Sequence, residues 1–197
     1  MCIRDRTDSL GFIYGSGYFN NQATFGGITL TNKPLSTSGN NKENFVFKMD
    51  STGNVLWAVA GGDLSGGCCD DRALGMHVTP SGEVFITGTF WSSYYIDSCS
   101  VTQNQWGTAL NAHDNSLLAK LDTDGNCVWV IGFGADEGAG SGYNCPYPIY
   151  DADDHSYDVK VDKDGFIYVT GFFSGLSADF DNCLLYTSDA ADDASSV

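Results

Sequence analysis

The sequence predicts an all-β protein of tandem antiparallel units, on three observations. Two motifs recur at long, nearly fixed spacing. One kind of tight turn separates runs rich in β-forming residues. Helical periodicity is absent throughout the chain.

The first motif runs from Gly11 to Phe19 as Gly-Phe-Ile-Tyr-Gly-Ser-Gly-Tyr-Phe. It returns from Gly82 to Phe90 and again from Gly165 to Phe173, steps of 71 and 83 residues. Each copy has two glycines six apart with β-formers between them. The second motif runs from Lys48 to Trp57 and returns from Lys120 to Trp129, a step of 72 residues. Asp8, Asp50, Asp122 and Asp162 each open an Asp-x-x-Gly turn, in which the aspartate initiates the reversal and the glycine accepts positive φ.

Four strands per unit follow. In the complete unit they fall at about Ala73–Val78, Glu83–Phe90, Ser116–Asp122 and Cys127–Phe133. The first unit lacks its first strand, and the last keeps two, Tyr157–Val161 and Phe166–Phe173, so nine strands are expected. Repetition at this period marks propellers, solenoids and arrays. Solenoid coils are usually shorter and rarely carry two hairpin turns each. The expected fold is therefore a partial β-propeller, an open arc of four-stranded antiparallel blades. The arc spans an incomplete blade at 7–72, a full one at 73–156 and a partial one at 157–182.

The two ends are expected to lie outside this fold. The nucleotide string AGATGTGTATAAGAGACAG, read from its ATG, encodes Met1 to Arg6. Its reverse complement encodes Cys183 to Ser188. The string resembles the end of a transposase-based sequencing adapter, so 1–6 and 183–197 read as adapter-derived and are set aside.

The charge is −16 for the whole chain and about −14 for 7–182. So acidic a surface repels nucleic acid and anionic membranes. No apolar run is long enough to span a bilayer. Cysteines in Gly-rich, loop-like surroundings suit an oxidising compartment.

Val161-Asp-Lys-Asp-Gly-Phe-Ile-Tyr-Val-Thr-Gly171-Phe-Phe resembles the bacterial repeat V-D-x-x-G-N-V-Y-V-T-G-x-F. The stretch from Asn44 to Ala58 is similar to its second half, D-x-F-V-A-K-L-D-x-x-G-N-x-x-W-A. These are the SBBP-type propeller repeats of secreted and surface proteins from Bacteroidetes-like bacteria. The resemblance covers most of 7–182 and implies a propeller and an extracellular or cell-surface location. It implies no activity. The units depart from the family in exceeding 70 residues, through long insertions. Asp50-Ser-Thr-Gly-Asn-Val-Leu-Trp57 is also similar to the Trp motif of quinoprotein propellers, but Asp124 replaces its Thr in the second copy.

Turns alternate between the two ends of a meander. The short turns therefore share one end, and the long connections 19–44, 61–72, 91–115 and 134–156 share the other. Long loops on a rigid scaffold are where binding residues concentrate. Here they carry Trp91, Tyr94, Tyr95, Trp106, Tyr143, Tyr147 and Tyr150. Such aromatics can stack on sugars or anchor a protein, or pack the insertions onto the strands. Asp151, Asp153 and Asp154 offer hard oxygen ligands for calcium, with Asp158 nearby, although no full EF-hand spacing is present. One of the vicinal pair Cys68 and Cys69 is expected to bridge to Cys145, with Cys99 the competing partner. Cys127 stands where the other copy has Val55 and reads as a small apolar strand residue.

No catalytic constellation appears. The leading expectation is a non-enzymatic exported module that binds carbohydrate or protein through its long-loop face. The rival is part of a propeller enzyme, a hydrolase or a quinoprotein-like oxidoreductase.

Overall fold

The computed structural model describes residues 4–32, 42–63, 71–91, 93–102, 114–136, 154–173, 177–179 and 184–186. They form sixteen strands and no helix. The strands are β1 (Arg4–Thr7), β2 (Ile13–Asn20), β3 (Gln22–Phe25), β4 (Ile28–Thr31), β5 (Lys42–Met49), β6 (Val55–Gly62), β7 (Arg72–Val78) and β8 (Val84–Phe90). They continue with β9 (Ser93–Ile96), β10 (Cys99–Thr102), β11 (Asn115–Leu121), β12 (Cys127–Asp136), β13 (His155–Val161), β14 (Ile167–Phe172), β15 (Ser177–Asp179) and β16 (Leu184–Tyr186). All nine expected strands are among them.

The pairing is antiparallel throughout. One six-stranded sheet has the order β1-β2-β5-β6-β9-β10, and a second has β16-β15-β12-β11-β8-β7. Two hairpins, β13-β14 and β3-β4, stand as sheets of their own, and neither large sheet closes on itself. Each large sheet thus contains a four-strand meander, β1-β2-β5-β6 or β7-β8-β11-β12. The four-stranded expectation needs correction on one point: each sheet has six strands, because a hairpin from a later insertion pairs with the meander's outer strand. β9 lies against β6, with Gly61 opposite Ile96 and Gly62 opposite Tyr95. β15 lies against β12, with Gly134 opposite Asp179.

The ends also depart from expectation. Arg4 to Thr7 pair with Ser16 to Ile13 and supply the first strand that the first unit was expected to lack. Arg4 Nε donates to Leu74 O at 2.7 Å. Leu184 to Tyr186 likewise pair with Asp179 to Ser177. The reason is general: an unpaired strand edge satisfies its backbone with whatever extended segment lies beside it, largely irrespective of side chains.

The repeated glycines have two distinct physical roles. Gly11, Gly53, Gly82, Gly125 and Gly165 have φ between +83° and +92°. They close five copies of one turn. In four copies an aspartate Oδ1 accepts the amides two and four residues on, as Asp122 does from Asp124 and Asn126 at 2.9 Å each. Thr79 opens the fifth copy, its hydroxyl accepting from Glu83 N at 3.0 Å, a substitution the Asp-x-x-Gly pattern does not reveal. The second glycine of the first motif serves a β-bulge. At Gly88 and Gly171 the backbone carbonyls of Arg72 and His155 occupy the space a Cβ would need. The register shifts beside them, between Ala73 and Gly75 and between Ser156 and Asp158, repeat from one unit to the next.

The main core lies between the two large sheets. Tyr14 and Val46 from the first meet Met76, Ile86 and Leu117 from the second, all fully buried. Burying one such aliphatic side chain contributes about 1.5–3 kcal/mol. A second seam joins Phe85, Leu118 and Val159, bringing β13 onto the second sheet. At this seam a Cβ on Gly75 would fall 2.6 Å from the Cα of Asp158, so β7 and β13 approach backbone to backbone.

Turns pack on neighbouring units as well. Trp57 Nε1 donates to Thr123 O at 3.0 Å, and its ring lies edge-on to Tyr14 at 6.1 Å. A Cβ on Gly125 would come within 2.7 Å of that indole, whereas Gly53, the same turn position one unit earlier, faces open space. Gly53→Ala is therefore expected to cost only the left-handed backbone penalty of about 1–2 kcal/mol. Gly125→Ala is expected to cost clearly more, because Trp57 must also move. Urea unfolding of the two variants checks the order.

Cys127 is not simply an apolar strand residue. It forms a disulfide with Cys99, their Cα atoms 5.9 Å apart and 28 residues apart in sequence. Cys68, Cys69 and Cys145, the expected bridge, lie outside the described residues. The bond ties the β9–β10 hairpin to β12, and Asp97 Oδ2 reinforces it by accepting from Cys127 N at 3.1 Å. In the first unit the β3–β4 turn reaches the same place without a covalent bond. There a Cβ on Gly26 would meet Val55. Reduction is expected to lower stability by about 3–4 kcal/mol on loop-closure entropy. Urea midpoints with and without reductant test this. An unchanged midpoint would argue against the bridge.

Candidate binding site at the long-loop end

The end from which the insertions leave is built twice in the described residues. In the first copy three acidic side chains, Glu43 at the start of β5, Asp63 after β6 and Asp71 before β7, are all buried. Asp71 N donates to Lys42 O at 2.9 Å, fixing the approach to β7. Ser93 Oγ donates to Asp63 Oδ1 at 2.7 Å, Tyr95 Oη to Glu43 Oε2 at 3.1 Å, and Trp91 N to Asp71 Oδ1 at 3.3 Å. The hairpin that lends β9 to the first sheet is thus also held through this acidic group.

Burial raises the Asp71 carboxyl well above the usual carboxylate range, and the neighbouring Asp63 and Glu43 push it the same way. Burial likewise lifts the Tyr94 and Tyr95 hydroxyls, so both remain protonated at neutral pH.

The second copy follows the same backbone plan with different side chains. Asp154 N donates to Asp114 O at 2.7 Å, as Asp71 N does to Lys42 O. Asp154 is buried, and His155 Nε2 lies 3.7 Å from Asp114 Oδ2. The His155 ring stacks on Phe172 at 5.1 Å. Ser156, next in sequence, is not a free nucleophile. Its hydroxyl lies 2.7 Å from Thr87 Oγ1 and donates to Gly88 O at 2.8 Å, locking β13 to β8.

The aromatics expected on this face divide. Tyr94 is wholly buried and Tyr95 nearly so, and Trp91 is half-buried. Tyr94 packs on Phe90 at 6.1 Å, and its hydroxyl accepts from Asn44 Nδ2. Neither tyrosine presents a ring to solvent. Pairing with β6 turns β9 inward, so that Tyr94 bridges Asn44 of the first sheet and Phe90 of the second, while Tyr95 bonds Glu43 of the first. Gly61 makes room for the Tyr94 hydroxyl and Gly62 for the Glu43 side chain, a signal visible only as a Gly-Gly pair at a strand end. Trp106, Tyr143 and Tyr147 lie outside the described residues, as do Asp151 and Asp153 of the calcium expectation. Asp154 is described, but buried against β12, where a Cβ on Gly134 would meet its carboxylate. Among the described residues no three acidic, histidine or cysteine side chains group so as to hold a metal ion.

The chain matches no protein-family model, and no curated protein matches it.

The raised Asp71 carboxyl has a definite consequence for pH. A group whose folded pKa lies above its unfolded value adds stability below the unfolded pKa and loses it as pH rises through the folded one. Asp71→Asn keeps an oxygen for the Trp91 amide and removes that ionisation. The variant is expected to gain stability over the parent at pH 8 and to gain least near pH 4. Thermal melts at the two pH values check the sign.

Proposed function

We propose that this chain is an arc of a β-propeller from an exported protein. It binds an extracellular carbohydrate or protein through its long-loop end and has no catalytic role of its own. One observation carries the reading: short and long connections segregate. All five Asp- or Thr-initiated turns, from 8–11 to 162–165, lie at one end of the meanders. The connections spanning 32–42, 63–71, 102–114 and 136–154 leave from the other.

Three further features support it. The first strands of successive units are neighbours, with β1 reaching Leu74 on β7 and β7 meeting β13 at Gly75. That is the arrangement expected of inner strands around a propeller axis. The Cys99–Cys127 bond suits an oxidising compartment. The resemblance of the repeats to SBBP-type sequences points the same way. The aromatic anchors of the binding face are then Trp106, Tyr143 and Tyr147, with Trp91 at its border, while Tyr94 and Tyr95 hold the scaffold together.

Truncating an interface aromatic that acts as an anchor costs about 2 kcal/mol, roughly thirtyfold in Kd. Trp106→Ala and Tyr143→Ala are expected to weaken binding by that order while leaving the melting temperature unchanged. Glycan-array screening and affinity capture of extracellular proteins would identify the ligand. Titration of the two variants would then test the face. Undiminished binding by both would reject it.

A further inference from the structure

A cavity of about 190 Å3 lies at the seam between the second sheet and the β13–β14 hairpin. Ser116, Phe133, Asp154, His155, Val169 and Phe172 are among its walls. The equivalent place one unit earlier is filled. Stepping back by the repeat, Ser116 corresponds to Asn44, Phe133 to Gly61 and the wall residue Phe173 to Phe90. Those three earlier residues all meet Tyr94. Asn44 donates to its hydroxyl, Gly61 leaves room for that hydroxyl, and Phe90 packs on its ring.

The backbone shows why the second seam differs. β9 places Tyr95 opposite Gly62. β15 sits in the same register, placing Asp179 opposite Gly134, the repeat equivalent of Gly62. The residue at the register position of Tyr94 is therefore Ala178. No phenol is supplied to the second seam from that position, and Phe133, standing in for Gly61, forms a wall.

The lining chemistry remains suited to such a ring. His155 and Phe172 are stacked with 20° between their planes and offer a flat aromatic side, with Val169 beside them. Ser116 provides a hydroxyl at the place of Asn44. His155 Nε2 is buried without a hydrogen-bond partner, Asp114 Oδ2 standing 3.7 Å away, so it can still take a polar contact. Asp154 adds a carboxylate that accepts an O–H and repels an anion.

We propose that this cavity binds a small uncharged phenol, whose ring takes the place held by Tyr94 in the first seam. Its hydroxyl points toward Ser116, and aromatic carboxylates are excluded. Filling a preformed site with the group it lacks is the same packing logic that closes the first seam.

The test uses the full 197-residue chain and p-cresol, which is the tyrosine side chain as a free molecule. Calorimetric titration should give saturable binding of one p-cresol per chain. Affinity should be about tenfold higher than for toluene, the value of one well-placed hydrogen bond. Binding of 4-methylbenzoate should be undetectable. Ser116→Ala should erase the preference over toluene. No saturable binding to the parent chain, equal affinity for 4-methylbenzoate, or a preference over toluene intact in Ser116→Ala would each overturn the proposal.

Discussion

Satisfying the outer strand of each meander is the constraint on which the rest of this structure depends. A four-strand meander leaves β6 or β12 with a row of unpaired amides and carbonyls, each costly if buried and adhesive if exposed. A hairpin sent from a later insertion covers the loop-side end of that edge: β9 pairs with Gly61 and Gly62 of β6, and β15 with Gly134 to Asp136 of β12. The insertion is then more than a loop. It is the mortar between successive units, and its residues follow the requirements of packing.

Several local features follow from that constraint. Tyr94 and Tyr95 turn inward because β9 pairs with β6, and Gly61 yields the space the Tyr94 hydroxyl needs while Gly62 yields it for Glu43. The buried acidic group of Glu43, Asp63 and Asp71 exists where the returning chain must be fastened, with Ser93, Tyr95 and the Trp91 amide as donors. The Cys99–Cys127 bond holds the other side of the same hairpin to its own unit. One hairpin is thereby tied to two sheets, by backbone pairing on one side and a covalent bond on the other. The seams between units gain rigidity from this, which is what a scaffold presenting loops requires.

The two seams also show how a repeat acquires individuality. The backbone plan is preserved, down to the bulges facing Gly88 and Gly171 and to the amide links from Asp71 to Lys42 and from Asp154 to Asp114. Side chains are exchanged within it. Gly61 with Tyr94 becomes Phe133 with Ala178, and the closed seam becomes one with a cavity. Tandem units buried against one another cannot change shape freely, so variation is accommodated as compensating swaps of large and small residues. Where the compensation is incomplete, space for a ligand results.

The sequence by itself determined the nine meander strands, the turns and their glycines. These depend on local preferences: positive φ after an aspartate-initiated reversal, and β-formers on either side. It also placed the long connections together at one end, because that follows from counting turns. Only the tertiary structure decided that Tyr94 and Tyr95 turn inward. Tyr94 and Tyr95 read as surface aromatics in sequence, since nothing local distinguishes a ring that meets solvent from one that meets a neighbouring unit. The Cys99–Cys127 pairing was illegible for the same reason. Cys127 occupies the place of Val55, and its partner comes from a hairpin whose position is set by an edge 30 or more residues away. Turn chemistry is encoded within a few residues. Edge pairing is encoded in no segment alone, because backbone hydrogen bonds are blind to side chains and form wherever the fold leaves an edge open.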